Sequence, residues 1–137
     1  MKQMPMIEKF MSTLPYTTSP QTTIDQAIKV MKEHHIRHLP VEDSGHLVGV
    51  VTDGDINLAA SFSHVESLLI DDVMTRKPYT IPPHTPIDHV VLTMAEHKYG
   101  CAIVKQDNGK IVGIFTANDA LRVLGEILQG NFKPLEH

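Results

Sequence analysis

Most of this 137-residue chain is written twice. Met11-Ser12-Thr13-Leu14-Pro15-Tyr16-Thr17 recurs 63 residues later as Met74-Thr75-Arg76-Lys77-Pro78-Tyr79-Thr80, and Thr22, Ile24, Asp25, Met31 and His34 return at the same shift as Thr85, Ile87, Asp88, Met94 and His97. After one inserted residue the shift becomes 64, and Gly49-Val50-Val51-Thr52-Asp53-Gly54-Asp55 returns as Gly113-Ile114-Phe115-Thr116-Ala117-Asn118-Asp119. Repetition on this scale means two related units, so any function falls to the repeat pair or to what it binds. The expected boundaries are repeat 1 over residues 7–61, a connector over 62–69, repeat 2 over 70–128, and a tail over 129–137 whose Leu135-Glu136-His137 reads as the stub of a cloning linker and histidine tag.

Each half, at roughly 60 residues, is marginal as an independent fold, so the halves are expected to share a core. With 42% hydrophobic and 20% charged residues the chain is an ordinary globular one. No apolar run approaches the ~18 residues of a membrane span, and the first residues lack a signal-peptide layout, so a cytoplasmic location is expected. Cys101 is the single cysteine, which excludes an intrachain disulfide and fits a small buried residue better than a redox group. Net charge is −4 and no basic cluster is longer than Arg76-Lys77, which speaks against nucleic acid or a membrane surface as partner.

In repeat 1, Ile24, Ala27, Ile28 and Met31 follow helical spacing after a short extended stretch at 16–18. Thr22-Thr23-Ile24-Asp25 has the pattern of a capping box, repeated as Thr85-Pro86-Ile87-Asp88 with proline at the first helical position. Residues 37–41 and 47–51 suit strands around a turn, as do 101–105 and 111–115 around Asp107-Asn108-Gly109, and a helix follows each hairpin, at about 53–60 and about 117–128. Residues 7–11 and 70–74 read as short lead-in helices. Each unit is therefore strand, helix, strand, strand, helix, an α/β arrangement.

Thr52 with Asp55, and Thr116 with Asp119, stand three apart just after an apolar strand. One reading is a second pair of helix caps needing no ligand. The other uses the same geometry for binding: a helix start offers N–H groups to an anion, a threonine adds a donor, and an aspartate accepts from paired ribose hydroxyls. A nucleotide would use all of these. The chain itself leaves both readings open.

The ordered series Met-(Ser/Thr)-x-x-Pro-Tyr-Thr, a capped helix, Ile36-Arg37-His38-Leu39-Pro40-Val41 and Gly49-Val50-Val51-Thr52-x-x-Asp55 resembles a cystathionine-β-synthase-type (CBS) domain, and its recurrence over about residues 7–125 resembles a CBS pair, or Bateman module. The resemblance implies two β-α-β-β-α repeats packed with pseudo-twofold symmetry, binding an adenine nucleotide (AMP, ADP or ATP, with NAD or S-adenosylmethionine as further candidates) and associating as a homodimer. It implies that Asp55 and Asp119 hold ribose hydroxyls and that Thr52 and Thr116 face ribose or phosphate. Arg37, His38, Gly100, Cys101 and Ala102 would meet the adenine, and Leu14, Tyr16, Thr75, Lys77 and Tyr79 would line the same clefts. Where many members carry a basic residue before the ribose aspartate, this chain has Gly54 and Asn118, which implies weak polyphosphate binding. Arg76, Lys77 and Arg122 are the nearest substitutes, and the second repeat is expected to be the better phosphate site. Ile103 stands where repeat 1 has Pro40.

His34, His35 and His38 form a His-His-x-x-His string, but it crosses from a helix end into a strand, so no metal site is expected. His34 recurring as His97 points to a structural place. The seven methionines are read as packing. Leu121, Leu124, Ile127 and Leu128 make an apolar stripe on the last helix, read as a dimer seam. No nucleophile elbow, phosphate-binding glycine loop or zinc signature appears, so no catalysis and no catalytic cofactor are expected. The chain is therefore expected to be a non-enzymatic sensor that signals ligand state to an unknown regulated protein. A purely structural dimerisation module without ligand is the alternative.

Overall fold

The structure is a computed structural model that describes residues 3–13, 15–62 and 64–132. The chain divides into two compact units: one over the described parts of 14–78 with 107–111, the other over those of 1–13, 79–106 and 112–137.

The first unit holds an antiparallel sheet of β2 (His38–Asp43), β3 (His46–Thr52) and β4 (Thr75–Arg76), in the order β2-β3-β4. Ser44 and Gly45, both at positive φ (53° and 81°), close the β2–β3 hairpin as a tight primed turn. Helix α1 (Ile24–His34) contributes Ile24, Ala27 and Met31 to a core with Leu39, Val41, Val51, Ile56, Ile70 and Met74, so the predicted helical stripe is the buried face. Helices α2 (Asp53–Ala60) and α3 (Ile70–Val73) complete the unit.

The second unit holds β1 (Ser12–Thr13), β5 (Thr80–Ile81), β6 (Cys101–Lys105) and β7 (Ile111–Thr116), in the order β1-β7-β6-β5, with β5 parallel to β6. Gly109, at φ 90°, turns β6 into β7 as the Asn-Gly signal predicts. Helix α4 (Ile87–His97) buries Ile87, Val90 and Met94 against Ile7, Ile81, Ala102, Val104 and Phe115. Helix α5 (Ala117–Phe132) runs past its predicted end at 128.

The two units cut across the sequence repeat. The 3-10 turn Ile7–Lys9 and β1 open repeat 1, yet Ile7 is fully buried in the second unit's core and β1 pairs with β7, Ser12 opposite Ile114. The equivalent lead-in of repeat 2, α3 and β4, packs on the first unit's sheet with Thr75 opposite Val50. Each repeat's own strands and main helices are joined by the other repeat's lead-in. Two-residue strands carry almost no periodic signal, so this exchange lies below what a pattern can show.

Two caps differ from expectation. The α1 box is Thr23 with Gln26, one residue beyond the predicted pair: Gln26 N–H donates to the Thr23 hydroxyl (3.2 Å) and Thr23 N–H to Gln26 Oε1 (3.2 Å). Thr22 is unavailable because its amide donates to the Ser19 carbonyl (3.1 Å) and its hydroxyl pairs with that of Ser19 (3.0 Å). At α4, Pro86 is itself the N-cap and no side chain caps the helix; the Thr85 hydroxyl donates to the Pro82 carbonyl (2.8 Å) instead. The predicted strand at 16–18 reduces to a single bridge between Thr18 and Val41.

Candidate functional site

Both Thr-x-x-Asp motifs start helices, and both are reciprocally bonded. In the first unit the Thr52 N–H donates to Asp55 Oδ2 (2.9 Å) and the Asp55 N–H donates to the Thr52 hydroxyl (3.0 Å). In the second, the Thr116 N–H donates to Asp119 Oδ2 (2.9 Å) and the Asp119 N–H to the Thr116 hydroxyl (3.2 Å). Threonine ends an extended strand, where its backbone is already in a cap conformation, and the aspartate three residues on reaches back to it. Each aspartate spends one oxygen on the cap, leaving the other for something else.

The two junctions differ in what that other oxygen meets. Asp119 is 9% exposed, and its Oδ1 accepts from the Arg122 guanidinium at 3.1 Å. Asp55 is half-buried, its Oδ1 has no hydrogen-bond partner among the described residues, and the residue three beyond it is Leu58, 63% exposed. Beside Asp55 the Arg37 guanidinium faces Asp53 at 3.8 Å, a loose and well-exposed pair, while the backbone carbonyl of Arg37 accepts from the Asp53 N–H (3.1 Å). In the second unit that backbone bond recurs as Ala117 N–H to Gly100 carbonyl (2.9 Å), without charged side chains at either place.

The strands bring the predicted adenine-facing residues to these helix starts. His38 opens β2 opposite Thr52, next to Arg37. Gly100 precedes β6, Cys101 and Ala102 are its first two residues, and the backbone bond from Ala117 holds Gly100 against the start of α5. Burial pushes the Cys101 thiol up from 9.0 to about 11, because the protein interior disfavours a thiolate, so it is a packed neutral side chain.

Of the lining residues, Leu14 lies outside the described residues. Tyr16 stacks on His34, ring centroids 3.7 Å apart. Tyr79 stacks on Tyr99 (5.0 Å), which stacks in turn on His97 (5.2 Å), and the Tyr79 hydroxyl is buried without a hydrogen-bond partner among the described residues. His34 and His97 thus occupy equivalent places as aromatic supports at the ends of α1 and α4. Tyr99 and His34 were not among the predicted site residues; the recurrence of Tyr16 and His34 as Tyr79 and His97 was a signal for His34, whereas Tyr99 stands where repeat 1 has Ile36 and carried none. Thr75 stands on β4 opposite Val50, two residues before Thr52, and the strand runs from there through Arg76, opposite Gly49, toward Lys77. Lys77 adopts a left-handed φ of 57° before Pro78, which neither a lysine nor a pre-proline position favours. Of the predicted cationic substitutes, Arg76 pairs with Asp71 (3.0 Å) and Arg122 with Asp119.

The second unit also carries an apolar groove of about 800 Å³ between α4 and α5, lined by Val91, Met94, Ala95, Leu121, Leu124 and Ile127 among others. Thr116 and Asp119 do not line it. Leu121, Leu124, Ile127 and Leu128 are 45–67% exposed, so the predicted stripe is open to solvent. Among the described residues no three histidine, cysteine, aspartate or glutamate side chains could hold a metal ion, and no helix is long and apolar enough to cross a membrane.

Duplicated strand-to-helix junctions on two small α/β units define a tandem-repeat module. The family model for the CBS domain matches residues 7–61 and 70–126, and the chain belongs to that family. It is 32% identical, over 88% of its length, to an L-aspartate semialdehyde sulfurtransferase of Methanocaldococcus jannaschii, and 34% identical, over 82%, to an inosine-5'-monophosphate dehydrogenase of Korarchaeum cryptofilum. It spans only 23% of the length of each of those enzymes. Among solved structures, a CBS domain pair in complex with 5'-methylthioadenosine and S-adenosyl-L-methionine superposes with a TM-score of 0.84 at 31% identity, covering 90% of this chain and 98% of that one. The Arabidopsis thaliana CBS-pair protein CBSX2, in complex with AMP, gives a TM-score of 0.75 at 25% identity and covers 90% and 98%.

Proposed function

We propose that this CBS pair is a regulatory, non-catalytic module of the cytoplasm that binds an adenosine-containing ligand and passes its binding state to a partner protein. The observation that carries the reading is that each Thr-x-x-Asp cap uses only the Oδ2 of its aspartate, so that the carboxylate is fixed by one oxygen and presents the other. A ribose diol needs a fixed carboxylate acceptor, and the cap fixes each aspartate without consuming it. Support comes from the solved CBS pairs, one holding 5'-methylthioadenosine and S-adenosyl-L-methionine and another AMP. AMP, ADP, ATP, NAD and S-adenosylmethionine are the ligands to compare. Signalling would follow from differential affinity: a ligand that holds one arrangement of the module more tightly than another shifts the population, and one that binds both equally shifts nothing.

The module is proposed to act as a homodimer, with a second copy covering the Leu121–Leu124–Ile127–Leu128 stripe. That stripe is wholly apolar and solvent-facing over more than two helical turns, the self-complementary kind of surface a two-fold association buries. A second reading is a dimerisation module without ligand, favoured by the fact that Thr52–Asp55 and Thr116–Asp119 already satisfy each other as caps.

Thermal shift against the five ligands, on the wild type and on Asp55→Asn and Asp119→Asn, separates the two. Asparagine keeps an oxygen for the cap and removes the charge. A ligand at about 100 times its dissociation constant stabilises by about 2.7 kcal/mol, several degrees for a domain of this size. A shift lost in one of the variants supports the sensor; no shift with any ligand supports the structural module.

A further inference from the structure

Position by position, the two junctions differ in charge. At the first, Arg37 and Asp53 offset one another and Asp55 is left over, so that beside His38 the carboxylates outnumber the guanidinium by one. At the second, Gly100 and Ala117 are neutral and Arg122 neutralises Asp119, leaving no net charge. The oxygen that a sugar hydroxyl would use has no partner among the described residues at Asp55 and already holds a guanidinium at Asp119.

Resting on the sensor reading above, we propose that Arg122 is a specificity-determining latch that makes the Asp119 junction select adenosine ligands bearing a 5'-phosphate, while the open, negatively charged Asp55 junction takes adenosine ligands that are uncharged or cationic at the 5' position. Selection works by exchange. A neutral nucleoside offering its diol to Asp119 competes with a charge-assisted hydrogen bond and gives the displaced guanidinium nothing in return. A nucleotide supplies the diol to the carboxylate and, one sugar away, a phosphate for the guanidinium. Arg122 is 62% exposed at its side chain while Asp119 is nearly enclosed, so the arginine is the member free to swing. At Asp55 the same phosphate would meet uncompensated negative charge, with Leu58 in place of the latch.

Calorimetric titration with adenosine and with AMP tests this on the wild type, Asp55→Asn, Asp119→Asn, Arg122→Leu and Leu58→Arg, with circular dichroism to show that each variant is folded. Asp119→Asn should abolish AMP binding and spare adenosine, and Asp55→Asn the reverse. Arg122→Leu, which copies the first junction, should lower AMP affinity about tenfold or more and raise adenosine affinity at that site, a change in the ratio of the two ligands that a merely structural arginine would not produce. Leu58→Arg should confer AMP binding on the Asp55 junction. The latch is overturned if Arg122→Leu weakens both ligands equally or neither, or if both ligands are lost in the same aspartate variant. If neither compound binds the wild type, the latch fails while the five-ligand thermal shift decides the sensor reading; if both aspartate variants bind both ligands as well as the wild type, the sensor reading fails and the latch with it.

Discussion

Gly49 lies so close under the backbone of Thr75 that a Cβ on it would stand 2.7 Å from the Thr75 carbonyl oxygen. Gly113 is placed in the same way beneath the other lead-in, where a Cβ would come within 2.9 Å of the Ser12 carbonyl oxygen and collide with the Met11 sulfur. These are the points at which each exchanged lead-in strand docks on its sheet. Methionine side chains can move aside, but a backbone carbonyl held in a ladder cannot. Gly49→Ala and Gly113→Ala should each destabilise by about 1–3 kcal/mol, the usual cost of forcing atoms into a packed contact. Gly125→Ala in α5, where nothing lies within 4 Å, should instead stabilise by about 0.5–1 kcal/mol from helix propensity. Urea unfolding of the three variants checks the set; equal responses at Gly49 and Gly125 would refute the docking account.

Tyr79→Phe removes a hydroxyl that is buried with no partner among the described residues. Deleting an unsatisfied polar group spares its desolvation cost, so the variant should be as stable as the wild type or up to ~1 kcal/mol more stable, with the Tyr79–Tyr99 stack retained. A loss of stability on chemical denaturation would mean that the hydroxyl has a bonding partner after all.

Cys101 should be inert toward a thiol-directed reagent at neutral pH in the folded protein and react at once in denaturant, because burial holds the thiol neutral and covered. The pH dependence follows in sign. The folded value, about 11, lies above the ordinary 9.0, so the folded state keeps its proton where the unfolded state loses it. This group's contribution to stability is full below pH 9 and falls as pH rises toward 11. Cys101→Ala should flatten that part of a stability–pH profile, and an unchanged profile would assign the alkaline loss to other groups.

Leu124→Glu places a charge in the middle of the α5 stripe, where the wild-type residue is half exposed. If a second copy covers this face, sedimentation should show a dimer for the wild type and a monomer for the variant, at little cost to the folded unit itself. A wild type that sediments as a monomer at all accessible concentrations would remove the homodimer from the proposed function.

Much of the architecture was legible along the chain because it is set by contacts within one repeat. Ile24, Ala27 and Met31 declare a helix face by spacing alone, Asn108-Gly109 declares a turn, and Thr52–Asp55 and Thr116–Asp119 declare helix starts, since three residues is the reach of a capping side chain. The α1 cap slipped by one residue because Thr22 and Thr23 have equal propensity and only the Ser19 turn decides between them. Arg122 was noticed as a cation, but its engagement with Asp119 depends on a rotamer and on the burial of the carboxylate, neither of which spacing specifies.

What the amino-acid order determined by itself is the duplicated α/β unit and the two junctions, because short-range hydrogen bonds and side-chain periodicity repeat wherever the residues repeat. Only the tertiary structure decided that Ile7 and β1 complete the second repeat's sheet while α3 and β4 complete the first, and that Asp119 accepts from Arg122 while Asp55 Oδ1 has no partner among the described residues. Lead-in strands of two residues gain their stability from the sheet edge they find, and a carboxylate's partner is set by which charged groups the fold leaves within reach.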